Sequence, residues 1–248
     1  MACVDRIGSL IDDGAPAAPA APKPLASALR LEGAGLERRI GPLDLALKSG
    51  SRVALLGATG SGKSSLLRML AGLESPDQGR IRWDDEAVAP AELLARVGFL
   101  GQESAFTRGR VWRILGLVGP EAPAPEAIEL LGNIGAWKLI EKMPRGLKEK
   151  VASPTLSRNE ARLLKLGGLL LGGAPAWVMD GPFDGLSVRR SRRCLATILA
   201  KAGPRTVVIS LARPVGLERF DRVIALRDGK IWFDGSPQEW NERKLLKH

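Results

Sequence analysis

The chain has 248 residues, 45% of them hydrophobic, and a formal charge of +10. That is enough apolar material for one large α/β domain, and the charge suits a polyphosphate, a nucleic acid or an acidic membrane surface. Two cysteines, Cys3 and Cys194, and a single histidine, His248 at the last position, argue against a disulfide framework, a structural zinc and histidine-based acid–base chemistry.

The opening MACVDRIGSLIDDG lacks the apolar core and cleavage site of a secretory signal. No later segment reaches the roughly eighteen apolar residues of a membrane-spanning helix, because glycines and Pro175 interrupt residues 166–179. A cytoplasmic location is therefore expected. GAPAAPAAPKP at 14–24 alternates alanine and proline, so residues 1–25 are expected to be a flexible tail ahead of one domain spanning 26–248.

Within that domain LDLALK (43–48) alternates like a half-buried strand, and RVALL (52–56) is a short apolar run that stops at Gly57. A helical pattern opens at Lys63 and runs to about Ala71. Further strands are expected at 81–83, 97–100, 176–179, 206–210, 223–226 and 231–233, with helices at 91–95, 125–131, 136–141, 157–171, 188–202 and 237–244. Alternating strands and helices predict a mostly parallel core sheet with helices packed on it. Residues 103–172 offer helices and no convincing strand, and read as an inserted helical lobe. Arg189, Arg190, Arg192 and Arg193 read as a solvated helix face, and Cys194 as a small apolar packing residue. Trp112, Trp137, Trp177, Trp232 and Trp240 fall in separate segments and are expected to serve core or interface packing.

The strongest chemical signal is Gly57-Ala58-Thr59-Gly60-Ser61-Gly62-Lys63-Ser64, followed by Ser65, placed after a strand and at the start of a helix. Such glycines let successive backbone N–H groups face phosphate oxygens, and the helix N-terminus adds its positive end. Lys63 then reaches the β and γ phosphates and Ser64 can ligate Mg²⁺, so the loop predicts ATP and Mg as ligands.

From about residue 28 to 240 the sequence resembles the ATP-binding cassette (ABC) ATPases, with VALLGATGSGKSSLLRMLAGLESPDQGRI as the phosphate-loop block. VGFLGQ places Gln102 at the family's Q-loop glutamine, and AWVMDGPFDGLS resembles the Walker B and D-loop block, with Asp180 as the Mg²⁺-supporting aspartate. FDRVIALRDGKIWFDGSPQEW is similar to the family's closing hairpin and helix, and LIEKMPRGLKEKVASPTLS to the stretch that precedes the signature motif in exporter-type cassettes. The resemblance implies a P-loop NTPase fold with a parallel core sheet, an antiparallel β subdomain and a helical subdomain over about 103–172. It also implies Gln102, Asp180 and Ser157 as nucleotide contacts, with Ser64, Gln102 and Asp180 around Mg.

The departures concern catalysis. The family's general-base glutamate falls at Gly181 and its switch histidine at Leu211. The signature, usually LSGGQ, reads Leu156-Ser157-Arg158-Asn159-Glu160, with Ser157 still 23 residues ahead of Asp180. Ser187 replaces the closing aspartate of the D-loop, and no aromatic stands near Leu36 to stack on adenine. A positioned base contributes about 10²–10⁴-fold to rate, so hydrolysis is expected to be weak or absent while binding persists.

Family members pair head to tail, so the implied partners are a second nucleotide-binding domain and a transmembrane transporter subunit. The implied location is the cytoplasmic face of the inner membrane. Two readings stay open for the altered signature: a regulatory pseudo-ATPase, or Arg158 acting on the partner's γ phosphate in the manner of an arginine finger. The alternative to a transporter subunit is a soluble regulatory or nucleic-acid-associated pseudo-ATPase. A nucleic-acid partner is not expected, because the chain carries no coiled-coil arm or tandem second cassette.

Overall fold

The computed structural model describes residues 24–102, 108–152 and 156–245. The predicted tail up to residue 23 lies outside the described residues, while Pro24 and Leu25 already touch the domain. The Trp83 indole donates to the Pro24 carbonyl at 3.3 Å, and Leu25 is buried.

A hairpin of β1 (Ala28–Leu36) and β2 (Ile40–Lys48) opens the fold. In β2 the side chains of Ile40, Leu43, Leu45 and Leu47 point inward, between exposed neighbours from Leu43 onward. β1 escaped the sequence reading because its pairing register shifts at Leu31/Ala34 and again at Ala34/Leu36. Each shift breaks the period of two by which a strand is recognised. After β3 (Arg52–Gly57) and α1 (Lys63–Leu70), β4 (Gln78–Trp83) and β5 (Glu86–Ala87) return to this hairpin, giving an antiparallel sheet in the order β2-β1-β4-β5.

α2 (Pro90–Arg96) leads into β6 (Val97–Leu100). The next segment holds α3 (Val111–Ile114), α4 (Pro125–Ile134), α5 (Ala136–Glu141) and α6 (Arg158–Leu171). The expectation of a strand-free lobe needs correction, because Gly109–Arg110 (β7) pairs antiparallel with Lys150–Val151 (β8). Two residues a side are too short to leave a periodic signal. β9 (Ala176–Met179), α7 (Val188–Ala202), β10 (Thr206–Ser210), β11 (Arg222–Arg227), β12 (Lys230–Gly235) and α8 (Pro237–Leu245) complete the chain.

The central sheet runs β12-β11-β3-β10-β9-β6, parallel except for the antiparallel edge strand β12. Every residue of β9 and β10 is buried, as expected for strands covered on both faces. The pleat divides the side chains between two cores. Val53, Leu55, Val178, Val208 and Ile224 face α1 and the antiparallel sheet. Ala54, Leu56, Trp177, Met179, Val207 and Ile209 face α4 to α7. On α7, Cys194 and Leu195 are buried while Arg189, Arg190, Arg192 and Arg193 are exposed. The expected scatter of tryptophans fails at one place, where Trp232 and Trp240 meet at 5.5 Å and Phe233 stands 5.1 Å from Trp240. β12 and α8 fold onto each other there, a contact with no local signature.

Candidate functional site

The site forms at the C-terminal ends of β3, β6, β9 and β10. β3 is apolar enough to be buried on both sides and ends at Gly57. Residues 58–60 form an exposed tip, and the chain re-enters at the buried Ser61 before α1. The Lys63 side chain folds back over this loop, its Nζ donating to the Gly57 carbonyl at 2.7 Å and the Ala58 carbonyl at 2.8 Å. Burial lowers the Lys63 pKa from the ordinary lysine value, against the opposing pull of Asp180 and Asp184. Gly62 caps α1 without a side-chain acceptor, and no acidic residue stands in its first turn. The first turn therefore has no capping side chain and no acidic residue of its own, and the positive end of the helix favours an anion. Ser64 is half-buried in that turn and Ser65 is buried.

Two turns brace the loop. Gly229, in the tight β11–β12 turn with Asp228 (φ 50° and 70°), donates to the Ser61 carbonyl at 3.2 Å and accepts from the Gly41 amide at 3.1 Å. A methyl group at Gly229 would come within 2.7 Å of the Arg39 carbonyl, so the close approach requires glycine. In the β1–β2 turn Arg39 is tied to Glu74 at 3.0 Å, while the neighbouring Arg38 side chain is 91% exposed.

Asp180 closes β9, with its amide donating to the Leu100 carbonyl at 2.7 Å. Its buried carboxylate accepts from the Ser210 hydroxyl at 2.6 Å, and that hydroxyl oxygen accepts the Gly181 amide at 2.8 Å. Ser210, which sequence reading passed over, thus fixes both residues from β10. Ser210→Ala removes two buried bonds and is expected to destabilise the fold by about 2–3 kcal/mol, checked by urea unfolding.

Gln102 lies just beyond β6 and is exposed, with its Nε2 3.2 Å from where a Cβ on Gly181 would stand. Leu211 is buried among the helical-side core residues, its amide donating to the Leu55 carbonyl at 3.0 Å. An aliphatic side chain in that place offers no hydrogen-bonding group to a phosphate.

Ser157 stands at the start of α6. It caps α6 in a reciprocal box: the Glu160 amide donates to the Ser157 hydroxyl oxygen at 3.3 Å, while the Ser157 amide and hydroxyl donate to Glu160 Oε2 at 2.9 and 2.7 Å. These bonds hold the Glu160 carboxyl below the usual glutamate range. The hydroxyl, and the negative charge beside it, are thus spent within the turn. Arg158 is exposed, and the Asn159 amide group lies against Gly185.

Asp184 was missed altogether. It is half-buried, and burial raises its pKa above the ordinary aspartate value, with Asp180 adding to the rise while Arg162, Lys63 and Arg213 oppose it. Arg162 of α6 donates to the Asp184 carbonyl at 2.8 Å and Arg213 to the Leu186 carbonyl at 3.0 Å, which fixes the loop after β9. The available signal was an acidic residue four places after Asp180 in a chain with glycine at 181. The structure therefore gathers the 57–65 loop, Gln102, Asp180, Gly181 and Asp184, and leaves Ser157 on α6. Ser64, Gln102 and Asp180 offer hard oxygen donors of the kind Mg²⁺ takes when phosphate completes its shell.

Comparison with known proteins matches residues 40–184, more than half of the chain, to the ABC transporter family model. The chain is 31% identical over 199 residues to the glutathione/L-cysteine transport system ATP-binding/permease protein CydC of Haemophilus influenzae, covering 78% of this chain and 34% of that one. It is 33% identical over 205 residues to the sulfate/thiosulfate import ATP-binding protein CysA of Brucella melitensis, covering 79% and 56%. With the Fe(3+) ions import ATP-binding protein FbpC of Mesorhizobium japonicum it shares 31% over 240 residues, covering 84% and 61%. The chain thus spans between about a third and three fifths of the length of these relatives. In fold it is similar to an ATP-bound bacterial Atm1-family ABC exporter, with a TM-score of 0.77 at 24% identity over 97% of this chain and 45% of that one. With its phosphate loop on β3 and α1 and its aspartate at the end of β9, the chain belongs to the ABC transporter family.

Proposed function

We propose that this chain is the ATP-binding subunit of an exporter-type ABC transporter. It would hold Mg-ATP on Gly57–Ser65 with Gln102 and Asp180 and couple that binding to a separate transmembrane subunit. The observation that carries the reading is the uncapped start of α1 beside the folded-back Lys63 ammonium, a ready cradle for phosphate. Among the described residues no helix is long and apolar enough to cross a membrane, so the membrane part belongs to another chain or segment. The working position is the cytoplasmic face of the inner membrane, with the domain over 26–248 and its helical lobe at about 103–172.

Hydrolysis is slow in this reading, because Gly181 has no side chain and Leu211 is apolar and buried. The dimer with a second nucleotide-binding domain serves mainly to hold a conformation. Its signature face is weakened for nucleotide contact, since Glu160 occupies the Ser157 hydroxyl.

Thermal unfolding tests the binding step. Mg-ATP at a hundred times its dissociation constant adds about 2.7 kcal/mol, a rise of roughly 5–10 °C in midpoint for a domain of this size. A midpoint indifferent to both Mg-ATP and Mg-ADP removes the proposal.

A further inference from the structure

The carboxylate absent at residue 181 is present in space. Gly181 has φ +58°, a backbone conformation that side-chain-bearing residues rarely adopt. A Cβ built there would collide with Asp184 Oδ2 and stand 2.9 Å from Asp184 Cγ. The volume of a residue-181 side chain is thus filled by the Asp184 carboxyl, brought back by a turn in which the Asp184 amide donates to the Gly181 carbonyl at 3.2 Å. Among the described residues no hydrogen bond or ion pair engages that carboxylate, although it is half-buried. It is surrounded by charges from four places: Lys63 of α1, Asp180 at the end of β9, Arg162 of α6 and Arg213 beyond β10. A carboxylate held near the Lys63 ammonium of the phosphate-loop helix, with its oxygens uncommitted, is placed to accept a hydrogen bond from water.

We infer that Asp184 holds and orients the water that attacks the terminal phosphate of ATP, in place of a side chain at residue 181. This rests on the nucleotide-binding reading above. The water oxygen bonds to the γ phosphorus, and the bond from that phosphorus to the β,γ-bridging oxygen breaks, leaving ADP and inorganic phosphate. The water's proton passes to an Asp184 oxygen and from there to solvent. Residual turnover therefore runs through Asp184, and restoring glutamate at 181 alone does not help, because its side chain meets a left-handed backbone and an occupied volume.

The test uses the purified full-length chain with Mg²⁺, comparing wild type, Asp184→Asn, Asp184→Glu, Gly181→Glu and Lys63→Ala. Two quantities are measured: affinities for ATP and ADP by displacement of a fluorescent nucleotide, and single-turnover hydrolysis of ATP. Asp184→Asn is expected to lower hydrolysis at least tenfold, to the Lys63→Ala background, while Asp184→Glu keeps part of the rate and Gly181→Glu does not raise it. In the same variant ATP affinity rises several-fold and ADP affinity holds, because a negative charge facing the terminal phosphate has gone. Wild-type hydrolysis in Asp184→Asn, or equal changes in ATP and ADP affinity, overturns the inference. So does wild-type hydrolysis no faster than Lys63→Ala in a chain that binds ATP, and in each of these cases the binding proposal survives. Failure of the wild-type chain to bind either nucleotide overturns both.

Discussion

Lys63→Ala is expected to weaken Mg-ATP binding by about ten- to a hundredfold while leaving the folded domain in place. A hydrogen bond to a charged group contributes about 1.5–3 kcal/mol, and each 1.4 kcal/mol is a factor of ten in affinity. The ammonium now donates to the carbonyls of Gly57 and Ala58, so phosphate must draw it from two ready acceptors. The Ala58 carbonyl is exposed and the Gly57 carbonyl half-buried, so water replaces most of the lost donor and stability should change little. Isothermal titration separates this from general damage, since unfolding in urea should stay at the wild-type midpoint. Undiminished ATP affinity in this variant would place the nucleotide elsewhere on the molecule.

Trp177→Ala should produce the largest loss of stability, about 3–5 kcal/mol. Trp177 is fully buried in β9, in the core beneath α4 to α7, with the Arg205 guanidinium 5.2 Å above its ring. Against a total of about 5–15 kcal/mol for a folded domain, such a loss takes about a fifth of the margin or more. Among the described residues its buried indole nitrogen has no partner, so Trp177→Phe retains most of the packing and forfeits no hydrogen bond seen there. The pair should therefore separate in urea midpoint, with phenylalanine closer to wild type. Because Asp180 directly follows the same strand, the alanine variant should also lose Mg-ATP stabilisation.

Much of this architecture was readable from local pattern. The run at 52–56, the loop from Gly57 and the helix from Lys63 each obey a rule that acts over a few residues; the bounds of β9 and β10 fell where apolar runs start and stop, and α7 starts at its Ser187 cap. β1 was lost because its two register shifts spoil alternation. β7 and β8 are too short for any period, and Trp232 and Trp240 meet only once α8 has packed on β12. At the site, the absence of a glutamate was legible, but its spatial replacement was not. Seeing Asp184 over Gly181 needs the sign of a single dihedral, which a glycine codon permits without announcing. Glu160 is the opposite case. Its spacing from Ser157 is the S-x-x-E pattern of a helix start, legible in the sequence yet read only as a signature that had lost its glycines.

Arg162 has a mechanical meaning beyond its single bond. It reaches from the second turn of α6 to the Asp184 carbonyl, and Asn159 of the same helix lies over Gly185. The loop that fills the space above Gly181 and the helix whose start would face a partner are thus bolted together. A terminal phosphate that moves Asp184 either breaks this strut or swings the beginning of α6. In the proposed dimer, the occupancy of one chain's pocket would thereby be written into the angle at which its neighbour is met.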